Sequence, residues 1–138
     1  MANVDHLKGV PLFQGMTEQA LEAVAGLAGE IQFADGQEVT VEGEPGDSFF
    51  VIVDGRLRVS RHGSTVRDLG PGDFLGEISL IDGRPRSATT VAIGSVDALV
   101  IERPAFQELM EKFGAIRLGI LMALSERVRN DERETLIS

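Results

Sequence analysis

The chain has 138 residues, a formal net charge of −9 and 43% hydrophobic residues, and it contains no cysteine. Its length suits one domain over residues 1–138, and no apolar run approaches the roughly 20 residues that span a bilayer. The lack of cysteine excludes disulfides and thiolate metal sites, and the acidic balance argues against nucleic-acid binding. Polar residues follow Met1, so we expect no secretory signal, no membrane partner and a cytoplasmic location.

The first 30 residues are predicted to be helical. Thr17 can cap a helix in which Leu21, Val24 and Ala28 recur at steps of three and four residues. This spacing predicts a short amphipathic helix that precedes the main body of the domain.

Residues 31–102 follow the period of β-strands. The runs 38–42 and 56–60 alternate apolar and polar residues, and the run 49–53 is uniformly apolar. Turn signals such as Asp54-Gly55 and His62-Gly63 recur about every ten residues, which is typical of a sandwich or barrel. After an interruption, two more strands are predicted over 87–93 and 96–101, separated by Gly94.

A second helical region is predicted over 104–138. Pro104 is well tolerated in the first turn of a helix. Two apolar stripes follow, one with Phe113, Ile116, Ile120 and Ala123 and the other with Leu121, Leu124 and Val128. We expect one stripe to pack on the β-body and the other to cover a ligand or a second copy of the chain.

The interruption contains the stretch GEISLIDGRPRS, residues 76–87. The spacing of Ile78 and Ile81 predicts a very short helix, whose first amides lack partners and can bind a phosphate oxygen beside Gly76. A helix dipole contributes only about 0.3–1 kcal/mol, whereas a charge-assisted contact from an arginine is worth about 1.5–3 kcal/mol. Arg84 or Arg86 can therefore supply the main attraction for a phosphate.

The same stretch carries a carboxylate and a hydroxyl. An ionised Glu77 only accepts hydrogen bonds, so beside a bound anion it is suited to a sugar hydroxyl. Ser87 can donate to a phosphate oxygen or contact a base. Together these groups predict a ligand that combines a phosphate with a sugar.

Residues 72–92, GDFLGEISLIDGRPRSATTVA, resemble the phosphate-binding cassette of cyclic nucleotide-binding domains. This family includes protein kinase A regulatory subunits, bacterial catabolite activators and cyclic-nucleotide-gated channels. The resemblance extends to the Pro-Leu-Phe start at 11–13, to Gly-Asp-Ser-Phe-Phe at 46–50 and to Asp54-Gly55. It implies a mainly β fold with helical ends: an eight-stranded β-roll (a double-stranded β-helix, jelly-roll-like), an N-terminal helix, a short phosphate-binding helix and C-terminal B and C helices.

The resemblance also implies roles for single residues. Glu77 would accept the ribose 2′-hydroxyl, Arg86 would hold the cyclic phosphate, and Ser87 would contact the phosphate or the base. Amides near Gly76, Ile78 and Ser79 would cap the phosphate, while Arg84 is not a ligand position of the family. A base pocket and its helical lid would come from Val53, Val66, Leu69, Leu121, Leu124, Ser125, Val128 and a stacking arginine, Arg127 or Arg129.

We therefore expect a regulatory sensor with no cofactor, no metal and no catalytic activity, which closes its C-terminal helix over cAMP. cGMP stays open as a ligand, because Ser87 stands where family members with threonine favour cGMP and those with alanine favour cAMP. The expected partner is a homodimer through the C-terminal helix or an unseen output domain. One alternative is a dimerising scaffold with a vestigial site. A metal-dependent barrel enzyme would need clustered histidines, and the chain has only His6 and His62.

Overall fold

The computed structural model describes residues 4–10, 13–76, 84–122 and 125. Two helices open the chain, α1 (Val4–Lys8) and α2 (Glu18–Leu27). Thr17 caps α2 as predicted, because its hydroxyl accepts a hydrogen bond of 3.1 Å from the amide of Ala20. Leu21 and Val24 are buried on the inner face of this helix, so the predicted amphipathic spacing is confirmed.

The described residues contain six strands: β1 (Gly29–Phe33), β2 (Glu38–Thr40), β3 (Ser48–Arg61), β4 (Ser64–Leu69), β5 (Phe74–Leu75) and β6 (Thr89–Glu102). They form one antiparallel sheet with the order β1-β6-β3-β4. Strand β2 pairs with β6 and strand β5 pairs with β3, so the long strands β3 and β6 form the centre of the sheet.

The two longest strands correct the predicted strand pattern. Runs 49–53 and 56–60 belong to the single strand β3, and run 96–101 falls in β6 together with the part of run 87–93 from Thr89 onward. Gly55 is therefore not a turn but part of an irregular stretch of β3, where the register against β6 shifts. Its φ is +95°, and an added Cβ would lie 2.5 Å from the carbonyl oxygen of Ser95. The described residues thus contain six strands where the resemblance implied eight.

Successive residues of β3 point into two separate hydrophobic cores. Phe49 and Val51 face the helices, whereas Phe50 and Ile52 face the other strands. The helix-side core contains Leu7, Val10, Phe13, Leu21, Val24, Ala25, Phe49, Val51, Phe74, Leu99, Ile101, Phe106, Leu109, Ile116 and Ile120. The strand-only core contains Phe33, Phe50, Ile52, Leu57, Val59, Leu69, Leu75, Ala92, Val96 and Ala98.

The C-terminal region begins with helix α3 (Arg103–Lys112), which has Pro104 in its first turn as predicted. Phe113 ends α3, and a further helix, α4, covers residues 114–122. Ile116 and Ile120 are buried in the helix-side core, so the prediction that one stripe packs on the β-body is confirmed. On the other side of α4, Leu118, Leu121 and Met122 are about 60% exposed. Among the described residues, no helix is long and apolar enough to cross a membrane.

Candidate functional site

Arg86 is buried, with only 8% of its surface exposed. Its amide donates to the carbonyl of Glu44 (2.8 Å), and its own carbonyl accepts from the amide of Gly43 (2.9 Å). At the far end of the side chain, Nη2 donates to the carbonyl of Ser48 (3.0 Å). Both ends of Arg86 are therefore held by the backbone at residues 43–48, which leads from β2 into β3. Arg84 is exposed, so the structure distinguishes the two arginines of the stretch.

Two glycines make room for the Arg86 side chain. A Cβ added at Gly46 would overlap Nε and Cζ of Arg86 and would lie 2.6 Å from Cδ. A Cβ added at Gly76 would lie 2.7 Å from Nη1, and the φ of +96° at Gly76 also favours glycine. The sequence had suggested that Gly76 allows close approach of a phosphate, and the structure adds that it accommodates the arginine. The role of Gly46 was not anticipated.

A pair of buried threonines holds the chain that follows Arg86. The hydroxyls of Thr40 and Thr90 lie 2.9 Å apart, and Thr40 also donates to the carbonyl of Ala88 (3.1 Å). Next to them, the hydroxyl of Thr89 accepts from the amide of Glu42 (2.9 Å). These side chains supply hydrogen bonds where the register between β2 and β6 is irregular. They fix the start of β6 only a few residues beyond Arg86 and Ser87.

The backbone that holds Arg86 is also tied to the start of α3. The amide of Arg103 donates to the carbonyl of Asp47 (2.9 Å), and its guanidinium donates to the Gly46 carbonyl (3.0 Å) and the Asp47 carboxylate (3.1 Å). Beside them, the Ser48 hydroxyl donates to the carboxylate of Glu102 (2.9 Å). Residues 46–48 therefore contact the buried guanidinium of Arg86 and the first residues of the C-terminal helices. Sequence reasoning missed this connection, because Asp47 and Arg103 are 56 residues apart in the chain.

The structure separates the strand residues that were expected to line a base pocket. Leu69 is buried in the strand-only core, and Val66 is half-buried on the same strand. Val53 instead packs against the helix-side core and borders a groove of about 390 Å³ with Glu30, Asp97 and Leu99. Val53 and Leu69 therefore lie in different surroundings.

The family model for the cyclic nucleotide-binding domain matches residues 30–113, which is more than half of the chain. This span includes Arg86, both glycines that surround it and Arg103. The chain belongs to the cyclic nucleotide-binding domain family. The resemblance stated from residues 72–92 is thereby confirmed, and the sheet with helical ends is the fold of such domains.

Three similar proteins illustrate the range of the family. A CRP-like cAMP-activated global transcriptional regulator of Mycobacterium tuberculosis is 30% identical over 123 residues, covering 86% of this chain and 55% of the regulator. The regulatory domain of Toxoplasma gondii protein kinase A, solved with cAMP, is 28% identical with a TM-score of 0.81, covering 89% of this chain and 48% of that one. The regulatory subunit of a cAMP-independent protein kinase A from Trypanosoma brucei shares the fold, with a TM-score of 0.82 at 20% identity. The match covers 96% of this chain and 47% of that one. The chain thus spans about half the length of these relatives.

Several expected ligand residues of the domain lie outside the described residues: Glu77, Ile78, Ser79, Leu124, Arg127, Val128 and Arg129. Of the remaining ones, Ser87 is exposed beside buried Arg86, and Leu121 and Ser125 are exposed on the terminal helix. Contact of any of these residues with a nucleotide stays a prediction.

Within the part of the chain that the structure describes, no three His, Asp or Glu side chains come together as a metal site. His62, one of the two histidines, occupies the β3–β4 hairpin turn at a φ of +52°. Its Nδ1 lies 3.3 Å from the carboxylate of Glu42. A metal-dependent enzyme therefore finds no support among these residues, whereas a buried, oriented guanidinium supports anion binding.

Proposed function

We propose that this domain is a cyclic-nucleotide sensor that binds cAMP with the cyclic phosphate on Arg86. The observation that carries the proposal is the burial of Arg86 between two glycines, with its guanidinium oriented by the carbonyl of Ser48. Two relatives support cAMP as the first ligand to test, since one is described as cAMP-activated and the other was solved with cAMP.

The position of Arg86 suits a phosphate for physical reasons. A buried charge attracts an opposite charge more strongly than an exposed one, because less water screens the pair. The guanidinium is already oriented, so binding costs little side-chain entropy. Nη1 lies beside Gly76, from which the segment with the expected phosphate-binding amides continues.

The other contacts follow from the chemistry of the ligand. Glu77 accepts the ribose 2′-hydroxyl, and the amides of Gly76, Ile78 and Ser79 bind the cyclic phosphate. Ser87, next to Arg86, donates to the phosphate or contacts the base.

Binding of the nucleotide changes the position of the C-terminal helices. Residues 46–48 connect Arg86 to Glu102 and Arg103, so a shift of the guanidinium toward a phosphate acts on the start of α3. The ligand then favours the state in which the terminal helix covers the base with Leu121, Leu124, Ser125, Arg127 and Val128. Because the chain spans about half of its relatives, an output domain or a partner receives this signal.

The test is isothermal titration of cAMP and cGMP into the wild type, Arg86→Leu and Arg84→Leu. A ligand of about 22 heavy atoms at roughly 0.3 kcal/mol per atom gives a Kd on the order of 10 μM. We expect that affinity for wild type, at least about tenfold weaker binding for Arg86→Leu, and no more than a twofold change for Arg84→Leu. Failure of both nucleotides to bind wild type at high micromolar concentration would rule out the sensor.

The exposed side of α4 favours a second role, a homodimer. Leu118, Leu121 and Met122 form an apolar strip at helical spacing, and each is about 60% exposed. Light scattering with and without cAMP distinguishes a constitutive dimer from one that forms on ligand binding. A constitutive dimer that binds no nucleotide would instead support the alternative hypothesis of a dimerising scaffold with a vestigial site.

A further inference from the structure

A groove of about 390 Å³ lies across strands β1, β6 and β3. Leu99 of β6 belongs to the helix-side core, and half-buried Val53 of β3 packs against that core. The groove therefore has an apolar floor that continues the helix-side core. Its lining residues are Glu30, Ile31, Gln32, Val53, Asp97, Ala98 and Leu99.

Three carboxylates lie on the face of the sheet that carries this floor. Asp97 of β6 lies directly opposite Asp54 of β3, and both side chains are exposed. Paired residues point to the same face with Cβ atoms about 4.5–5.5 Å apart, and like charges in such a pair destabilise a sheet. Glu30 of β1 pairs with Leu99, so it belongs to the same face. Among the described residues that line the groove, none is basic, and the groove is therefore strongly negative.

Strand β1 borders the groove and lies at the edge of the sheet. It pairs with β6 on one side, and within the described ranges no strand pairs with its other side. Residues 29–32 are exposed, and the apolar side chains of Leu27 and Ile31 each expose more than a third of their surface. An edge strand presents backbone donors and acceptors that a further strand can pair with. Strand β1 therefore offers main-chain hydrogen bonds beside an apolar and acidic groove.

We propose that β1 and the adjoining groove bind an extended basic segment of a partner protein, which adds a strand to the edge of the sheet. Alternate side chains of such a strand point to one face. Lysine or arginine at these positions reaches Glu30 and Asp97, while the aliphatic stems pack over Val53. The residues between them lie on the opposite face beside Ile31, whose pair Ala98 belongs to the strand-only core, so apolar side chains suit these positions.

The charge of the groove selects this occupant. A second copy of the chain has a net charge of −9, and nucleic acid is polyanionic, so an acidic groove repels both. A basic segment instead brings cations to the opposed carboxylates of Asp54 and Asp97 and relieves their repulsion. This interaction requires no nucleotide, so it is independent of the proposed sensor function and survives a failure of cAMP to bind.

The test follows the ¹⁵N-labelled chain by two-dimensional NMR during titration with the peptide acetyl-Lys-Val-Lys-Val-Lys-amide. We expect shifts centred on the amides of residues 29–33 and 97–99, and binding at least about threefold weaker at about 200 mM salt than at about 20 mM salt. The charge-reversed peptide acetyl-Glu-Val-Glu-Val-Glu-amide should cause no shifts. Absence of shifts with the basic peptide at millimolar concentration, shifts centred elsewhere, or equal shifts with both peptides would overturn the proposal.

Two variants separate the groove from general surface charge. Asp97→Asn and Glu38→Gln each remove one exposed carboxylate charge, and Glu38 lies on β2, outside the groove. We expect Asp97→Asn to bind the basic peptide about threefold more weakly and Glu38→Gln to change the affinity less than about twofold. Because Asp97 opposes a like charge, Asp97→Asn should also unfold at a temperature no lower than wild type. Equal affinity of the two variants would contradict the proposal, as would a lower unfolding temperature, which would show that Asp97 serves the fold.

Discussion

Replacement of Gly46 by alanine should weaken cAMP binding while leaving the fold intact. The added Cβ would overlap the guanidinium of Arg86 and lie 2.6 Å from its Cδ, whereas carbon atoms pack best at about 3.5–4.0 Å. The side chain of Arg86 must therefore move by at least about 1 Å, away from the Ser48 carbonyl that orients it. Its contact with the cyclic phosphate is then lost or misaligned.

The expected magnitudes separate binding from stability. Loss of a charge-assisted hydrogen bond costs about 1.5–3 kcal/mol, which raises the Kd for cAMP roughly ten- to 150-fold. Stability should fall by about 1–3 kcal/mol, because the buried guanidinium also loses its hydrogen bond to the Ser48 carbonyl. A loss of this size lowers the midpoint of thermal unfolding by roughly 4 °C per kcal/mol and leaves the domain folded at about 25 °C.

The assay pairs isothermal titration of cAMP with thermal denaturation for wild type, Gly46→Ala and Gly70→Ala. Gly70 is the matched control, since a Cβ there meets nothing within 4 Å. Wild-type affinity in Gly46→Ala would show that the position of the Arg86 guanidinium does not matter for binding. An equal loss of affinity in Gly70→Ala would show that the effect does not depend on Arg86.

Three other features of the structure can be tested by substitution: the Asp47–Arg103 contact, the Thr40–Thr90 pair and the exposed side of α4. Asp47→Ala removes the carboxylate that Arg103 binds, and it should lower the affinity for cAMP severalfold in isothermal titration without unfolding the domain. An unchanged affinity would argue against the connection between residues 46–48 and α3. Thr40→Val leaves the buried Thr90 hydroxyl with one partner fewer and should cost about 1–3 kcal/mol in urea denaturation, whereas a loss below the error of the fit would contradict this role. The double substitution Leu118→Ser and Met122→Ser should reduce any dimer seen by light scattering while cAMP affinity stays the same, and an unchanged dimer would locate the interface elsewhere.

Several local elements and the kind of ligand to expect could be predicted from the sequence alone. The cap at Thr17, the helix start at Pro104 and the buried stripe with Ile116 and Ile120 follow from interactions within a few residues. The stretch 76–87 likewise indicated a phosphate from its glycine and arginines. Its resemblance to a family cassette favoured Arg86 over Arg84, and Arg86 is indeed the buried arginine.

Contacts between distant segments could not be predicted in this way and became visible in the folded structure. Asp47 and Arg103 are 56 residues apart in the chain, so their contact leaves no periodic signal in the sequence. From the sequence, Gly55 could mark a turn or an irregular part of a strand. In the structure it lies within β3, close to the carbonyl oxygen of Ser95 on the paired strand β6. Val66 of β4 has no partner in the register with β3, because the pairing shifts by one residue between Val59 and Ser60, and such a shift moves a side chain from one face of a sheet to the other. Register is set by the packing of whole strands, and that is the physical reason why these features could not be read from short stretches of sequence.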